Sequence, residues 1–435
     1  MAYLLNTLEQ EQELLAFLGL KNLEDLYAHF PKELIIDGLN IPKALGEMQI
    51  LKLFEDYAAQ NTVFSSIFRG AGAYRHYIPA VVPEMVNKER FKTGYTPYQA
   101  EVSQGVLQSI FEFQTMICEL MGMDAANASV YDGATAAAEA FAMTRQRKKN
   151  RLLVLETVSP RIFNVVSTYA WAADSFVSKV PHKNYKADLN SLEAAITDDV
   201  SAILVQQPNF YGIIEDISDI VQLAHSKKIQ VIVHMNPIAA AVLESPGFLG
   251  ADIAVGEGQP LGLPLSYGGP YVGFMATKAS MTRKLPGRIV GQTQDNEGRR
   301  AFVLTLQARE QHIRRETAGS NICTNQALCA IATSVYMAAM GPQGLKEVAL
   351  QSYSKAHYLA DELAKIGINR LSEHEFFHEF ITNSPKDYEL ISKKLQANGI
   401  LGGLELKCGN ILWCATEMNS KQDIDTLIEI IRGEI

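Results

Sequence analysis

Apolar positions recur along this chain with two periods, and the order in which the periods alternate predicts its architecture. Val102, Val106, Ile110, Phe113 and Ile117 stand at helical spacing and predict a helix from about Ser103. After the turn Tyr131-Asp132-Gly133, a second helix is expected over about Thr135 to Arg147. Short apolar runs then alternate with helical ones. Strands are expected at Leu152 to Leu155, Phe176 to Val180, Ala202 to Val205, Val231 to Val233, Ile253 to Val255 and Tyr271 to Ala276. Helices are expected at Pro160 to Trp171, Leu189 to Ile196 and Ile217 to His225. Near-continuous apolar strands separated by helices imply a mostly parallel sheet covered on both faces.

The ends of the chain read differently. Thr7 and Gln10 fit a capping box ahead of a helix running to about Leu18, and a longer helix is expected over Ala44 to Gln60. Residues 1–60 therefore read as a helical arm that buries little alone and wraps a neighbouring domain or subunit. Residues 61–340 form the expected large α/β domain. Residues 341–435 read as a small α+β domain, with a helix at about Leu345 to Lys365, strands near Phe376 to Ile381 and Ile411 to Cys414, and a last helix over about Lys421 to Ile431.

Composition narrows the function. Hydrophobic residues make up 47% and charged residues 20% of the 435 positions, an ordinary globular balance. A net charge of -9 argues against nucleic acid as a partner. The N-terminal segment lacks a basic start and a long apolar run, which predicts neither a secretory signal nor a membrane span. The five cysteines, Cys118, Cys323, Cys329, Cys408 and Cys414, show no CxxC spacing and read as reduced, mostly buried thiols of a cytoplasmic protein.

One motif is misleading. His374-Glu375-Phe376-Phe377-His378 matches H-E-x-x-H, which binds zinc when both histidines share a helical face. Its aromatic, alternating surroundings favour a strand instead, and there the histidines stand roughly 13 Å apart. No metal site is expected, and both histidines are expected in solvent.

Five segments carry a more specific signal. They are Gly70 to Pro79 (GAGAYRHYIP), Tyr95 to Glu101 (YTPYQAE), Tyr131 to Thr135 (YDGAT), Ser266 to Phe274 (SYGGPYVGF) and Arg309 to Arg315 (REQHIRR). In this order, across nearly the whole chain, the sequence resembles the glycine cleavage system P-protein family, and within it the first of the two subunits of the split bacterial type. The resemblance implies a fold-type-I, pyridoxal-phosphate transferase-like fold. It also implies glycine decarboxylation through pyridoxal phosphate, with the aminomethyl group passing to the lipoyl arm of the H-protein.

The resemblance further implies which half this is. Cofactor-bearing members place a Schiff-base lysine after a histidine, shortly beyond an Ala-Asp-Ile strand. Here Ala251-Asp252-Ile253 is followed by Gln259-Pro260 at those places, and proline has no amine to form an imine. Asn236 stands where the pyridine-pairing aspartate is expected. Lys278 is the nearest other lysine, and it lies beyond the expected turn. The resemblance therefore implies that pyridoxal phosphate is bound by a homologous partner, glycine dehydrogenase subunit 2, and not by this chain alone. Tyr95, Thr96, Pro97, Tyr98 and Gln99 are then candidates to reach the partner's site, the alternative being a turn with tyrosines packed in the core. Tyr131 to Thr135 matches a phosphate-cradling turn, but Asp132 would repel phosphate, so a structural role is expected.

Arg288, Arg299, Arg300, Arg309, Arg314 and Arg315 concentrate positive charge in an acidic chain. They read as a solvated surface helix or, alternatively, as a docking surface for an acidic lipoyl carrier or a rim for substrate carboxylates, with Arg314 and Arg315 as the docking candidates. The family usually continues Lys-Ala-Thr where this chain reads Glu316-Thr317-Ala318-Gly319, which puts any role of that lysine in doubt. The residues alone leave three readings open: a partner subunit, a stand-alone enzyme using Lys278, and a catalytically silent scaffold.

Overall fold

The computed structural model describes residues 6–36, 38–92, 94 and 96–434. It divides into two units, 1–62 and 63–435. The first unit holds helices Leu8–Phe17 and Glu47–Ala58. The Thr7–Gln10 capping box is formed, and Gly46 starts the second helix later than the apolar pattern suggests. Among the described residues of this unit only Leu15 is a buried apolar side chain.

The second unit is built on a seven-stranded sheet: β1 (Ala125–Ala126), β2 (Arg151–Leu155), β3 (Phe176–Val180), β4 (Val200–Gln207), β5 (Gln230–Met235), β6 (Ile253–Glu257) and β7 (Gly273–Thr277). Their order across the sheet is β1-β7-β6-β5-β4-β2-β3. β2 to β6 run parallel, whereas β7 is antiparallel to both neighbours. Helices α1 (Gln104–Met121), α2 (Gly133–Thr144), α3 (Pro160–Ala172), α4 (Leu189–Ala195) and α5 (Ile217–Ser226) belong to the same unit. Val106, Ile110, Phe113 and Ile117 are the buried stripe of α1, which ends at Gly122 in the left-handed conformation; Val102, expected in the same stripe, lies ahead of the helix and is exposed. β4 is buried at nearly every position, as a strand covered on both faces must be.

A hairpin of β8 (Val290–Gln294) and β9 (Arg300–Leu304) follows. Helix α6 (Ala327–Ala364) is longer than expected and is broken at Gly341-Pro342, where Gly341 takes φ 60°. Beyond it, β10 (Glu379–Thr382), β11 (Leu404–Glu405) and β12 (Ile411–Cys414) form a three-stranded sheet in the order β10-β12-β11. Helices α7 (Tyr388–Ala397) and α8 (Lys421–Arg432) complete the chain. Leu359, Phe376, Phe380, Trp413, Leu427 and Ile431 form a second core, which also contains Phe68. Ser66–Ile67 pairs with Ile400–Leu401, so this early segment packs with the C-terminal elements.

Three expectations are corrected. His378 is buried, not solvated, and lies in a bend just ahead of β10 rather than in a strand, where it packs against Tyr74 and His76. Of the five unpaired thiols only Cys414 is buried; Cys323 and Cys408 are exposed because both lie in surface loops. The arginine-rich stretch is not one helix: it runs through a hairpin, a loop and short turns. Among the described residues no helix is long and apolar enough to cross a membrane.

Candidate functional site

The parallel strands end on one edge of the sheet, where α/β folds hold their ligands. There a cavity of about 150 Å³ is lined by Ser159 beyond β2, Gln206 and Pro208 at the end of β4, His234 to Pro237 at the end of β5, and Glu257 and Pro260 at the end of β6. Asp132 to Ala134 at the start of α2 add a helix N-terminus. Ala71 to Tyr74, His378 and Glu379 close the other side. Asn236 and Pro260, far apart in sequence, thus line one cavity. No lysine does. Gln259 is buried and fully bonded: its amide takes the Tyr74 N–H at 2.8 Å and donates to the carbonyls of Tyr74 and Leu263. Lys278 sits at the opposite edge of the sheet, where its Nζ donates to Gly250 O at 2.8 Å and lies 3.3 Å from Asp252.

The electrostatics of the cavity are set by carboxylates. The Asp132 side chain accepts from Thr135 N at 2.7 Å and caps α2. Glu257 Oε2 accepts from Gly133 N at 3.0 Å, and its Oε1 accepts from Gln259 N and Val272 N. A Cβ on residue 133 would come within 2.7 Å of the Glu257 nitrogen, so glycine is required for this approach. Glu379, 3% exposed, accepts from Ala71 N and Tyr74 Oη, each at 2.6 Å. Burial pushes Glu257 and Glu379 each up to about 7, and pulls the His234 imidazole down to about 4. Burial, reinforced by His76, holds His378 well below the usual imidazole range, and neither of its ring nitrogens has a hydrogen-bond partner. Arg161 stands exposed at the rim.

A pH dependence follows. A carboxyl whose folded pKa lies above its unfolded value stabilises the fold at low pH and loses that contribution as pH rises through the folded pKa. With unfolded values near 4.3 and folded values near 7, the window lies between about pH 4 and about pH 8. The melting temperature should fall across this window more steeply in the native chain than in the Glu257→Gln/Glu379→Gln variant. Equal slopes in a melting series would show that these two groups ionise without cost.

Tyr95 lies outside the described residues. Thr96 and Gln99 are exposed, Pro97 is buried and Tyr98 half-buried. Tyr98 is tied down within the chain: its hydroxyl donates to Asn325 Oδ1, and the Arg288 guanidinium lies 5.1 Å above its ring. Arg288 in turn pairs with the buried Glu310 at 2.5 Å, and Asn325 donates to Ala128 O at 2.8 Å. The fold thereby joins the segment at 96–99 to the segment at 310–325, which contains Arg314 and Arg315. Both of these arginines are exposed; Arg314 Nε donates to Ala308 O at 3.2 Å. Arg309 does not join them, because it is spent on the carbonyls of Leu285 and Gly287.

The sequence reading missed Tyr74, Arg161, Glu257, His378 and Glu379 as cavity residues. Glu257 left a signal, a carboxylate closing an otherwise apolar strand. Glu379 and Tyr74 left none, being 305 positions apart.

Pyridoxal phosphate does not suit this cavity. The helix N-terminus that would hold its phosphate is bonded to Glu257 and Asp132, and a phosphate there would meet two carboxylates. Among the described residues that line the cavity, none offers an amine for an imine.

The comparisons with known proteins agree with one another. The model of the glycine cleavage system P-protein family matches residues 1–431. A probable glycine dehydrogenase (decarboxylating) subunit 1 of Carboxydothermus hydrogenoformans is 46% identical over 444 residues, covering 100% of both chains. Its counterpart from Anoxybacillus flavithermus is 45% identical and covers 98% of each chain. The crystal structure of an inhibitor-bound glycine decarboxylase (P-protein) of the glycine cleavage system superposes with a TM-score of 0.94 at 41% identity, over 100% of both chains. A sphingosine-1-phosphate lyase of Burkholderia pseudomallei, 14% identical with a TM-score of 0.67 over 93% of each chain, shares the fold alone. The strand order, the position of the cavity and these full-length matches lead to one conclusion: the chain has the pyridoxal-phosphate fold-type-I architecture and belongs to the glycine cleavage system P-protein family, among its glycine dehydrogenase (decarboxylating) subunit 1 members.

Proposed function

We propose that this chain is the subunit of a heteromeric glycine dehydrogenase (decarboxylating) that does not itself hold pyridoxal phosphate. The cofactor is bound by a homologous partner, glycine dehydrogenase subunit 2. The assembled enzyme decarboxylates glycine and hands the aminomethyl group to the lipoyl arm of the H-protein. This chain alone is inactive. One observation carries the reading: the cavity at the strand ends presents Asn236, Pro260 and a carboxylate-filled helix N-terminus where a cofactor would need an aspartate, a lysine and free N–H donors. The position of Lys278, at the opposite edge of the sheet, speaks against a stand-alone enzyme.

In this reading Tyr95 to Gln99 faces the partner's site. Arg288 and Asn325 hold Tyr98 in place, and the Tyr98 oxygen keeps a lone pair for a ligand. Arg314 and Arg315 are exposed cations suited to docking the H-protein. The helical segment 1–60 acts as an arm on a neighbouring subunit, 61–340 as the large domain and 341–435 as the small one. The test is direct. The purified chain is incubated with pyridoxal phosphate, reduced with borohydride and digested. No stoichiometric pyridoxyl-lysine peptide is expected, while the subunit-2 partner treated alike gives one. A stoichiometric adduct on Lys278, or on any other single lysine of this chain, would overturn the proposal.

A further inference from the structure

The cavity at the strand ends has a chemistry of its own. It lies where α/β folds bind small molecules, yet its charge is the reverse of an anion site. Glu257 and Asp132 occupy the start of α2, and Glu379 faces them from β10. His378 is 2% exposed, and both of its ring nitrogens lack a partner. Its buried imidazole is neutral, so among the described residues one nitrogen is an unfilled acceptor and the other an unfilled N–H donor, which the carboxylate of an amino acid could meet. Carboxylate oxygens and an empty imidazole acceptor call for a ligand rich in donors. An ammonium group has three N–H donors and no acceptor. Met235, Pro208, Phe210 and Pro260 keep the space apolar elsewhere and small, at about 150 Å³. Arg161, with no ion-pair partner among the described residues, stands at the rim.

We propose that this cavity binds a small primary ammonium compound, its nitrogen received by Glu257, Glu379 and His378, with Arg161 favouring ligands that also carry a carboxylate. The inference rests on the reading that this chain does not hold the cofactor there.

Protonation supports the assignment. Glu257 faces Asp132, Tyr271 and Cys329, and Glu379 faces Tyr74, Cys414 and His378; none of these six brings a cation that would ionise them. Burial therefore leaves both carboxyls near neutrality in the empty cavity, with values of about 7. A bound ammonium favours the carboxylate form, so binding releases protons, and affinity rises with pH across about 6 to 8.

The test uses the full-length chain without its partner. Methylammonium, glycine, acetate and inorganic phosphate are titrated calorimetrically at constant ionic strength, with a thermal melt beside each titration. Methylammonium and glycine should bind, with affinities on the order of millimolar, and raise the melting temperature. Acetate and phosphate should do neither. Glu257→Gln should weaken both ligands about tenfold or more, as loss of a charge-assisted hydrogen bond requires. Arg161→Gln, at the exposed rim and so harmless to folding, should remove the advantage of glycine and leave methylammonium unchanged. Absence of methylammonium binding to the folded chain, phosphate binding in competition with it, or an affinity that falls with pH would each overturn the inference. A borohydride-trapped pyridoxyl-lysine in this chain would instead strike the functional reading beneath it. No adduct and no ammonium binding would strike this inference alone.

Discussion

Gly212→Ala is expected to destabilise the chain by about 4 kcal/mol or more, among the largest effects of any single substitution. Gly212 follows β4 and takes φ +84°, a region where an L side chain is strained. A Cβ there would also overlap the carbonyl oxygen of Glu379, which is backbone and cannot swing aside. The segment is bonded to the C-terminal part of the chain on both sides of the glycine: Phe377 N donates to Gly212 O at 2.9 Å, and Ile214 N donates to Glu375 O at 3.0 Å. Relieving the overlap breaks these bonds and moves His378 and Glu379 out of the cavity. Gly298→Ala is the control. Its φ is also positive, at +76°, but no atom lies within 4 Å of the added carbon, so about 1 kcal/mol is expected. Urea denaturation of both variants separates the two causes. Equal losses would mean that backbone conformation alone is at stake and that the contact with residue 379 contributes nothing.

Arg288→Ala should cost about 3–5 kcal/mol, because it leaves the buried Glu310 carboxylate with only the distant His312 ring, 3.9 Å away, as an ion-pair partner among the described residues. The Arg288 and Glu310 side chains are 13% and 2% exposed, and no solvent is at hand to replace the lost charge. The guanidinium over the Tyr98 ring adds a smaller loss of about 1 kcal/mol. Arg299→Ala, whose side chain is 70% exposed between Asp295 and Glu297, should change stability by less than about 1 kcal/mol. The double variant Arg288→Met/Glu310→Leu should recover much of the loss, since the unpaired charge is gone. In the proposed heteromeric enzyme, Arg288→Ala should also lower glycine decarboxylation while the partner keeps its cofactor, because it frees the 96–99 segment. Tyr98→Phe, which removes only the bond to Asn325, should have a smaller effect of about 1 kcal/mol on stability. A rate unchanged in both variants would detach this segment from the partner's site.

Some of this protein was decided by sequence alone. β2 and β4 to β6 appear where short apolar runs stand between helical patterns, because a strand buried on both faces can contain little else, whereas the edge strand β3 leaves Phe176 and Lys179 exposed. The α1 stripe from Val106 to Ile117 is legible for a similar reason: one face of a helix must be covered. The strand expected through His374 to His378 did not form: these residues make bends and a single bridge, Phe376, Phe377 and His378 are all buried, and the strand starts only at Glu379. Local periodicity could not show the direction of β7. It reports which face of a strand is buried but not which way the strand runs, and the connection from Pro260 to Tyr271 reverses the chain without a crossover helix. Nor could it separate the arginines. Arg288 and Arg309 read like their exposed neighbours until folding supplies Glu310 to one and the carbonyls of Leu285 and Gly287 to the other. The cavity needed tertiary structure most of all. Asn236 and Pro260 were legible as departures from a family pattern. Tyr74, Glu257, His378 and Glu379 acquire their chemistry only when the start of β10 and the bend before it are packed against the carboxyl edge of the main sheet. Removal from water is what leaves two carboxyls near neutrality and an imidazole without a partner, and no local pattern encodes which distant residues will exclude that water.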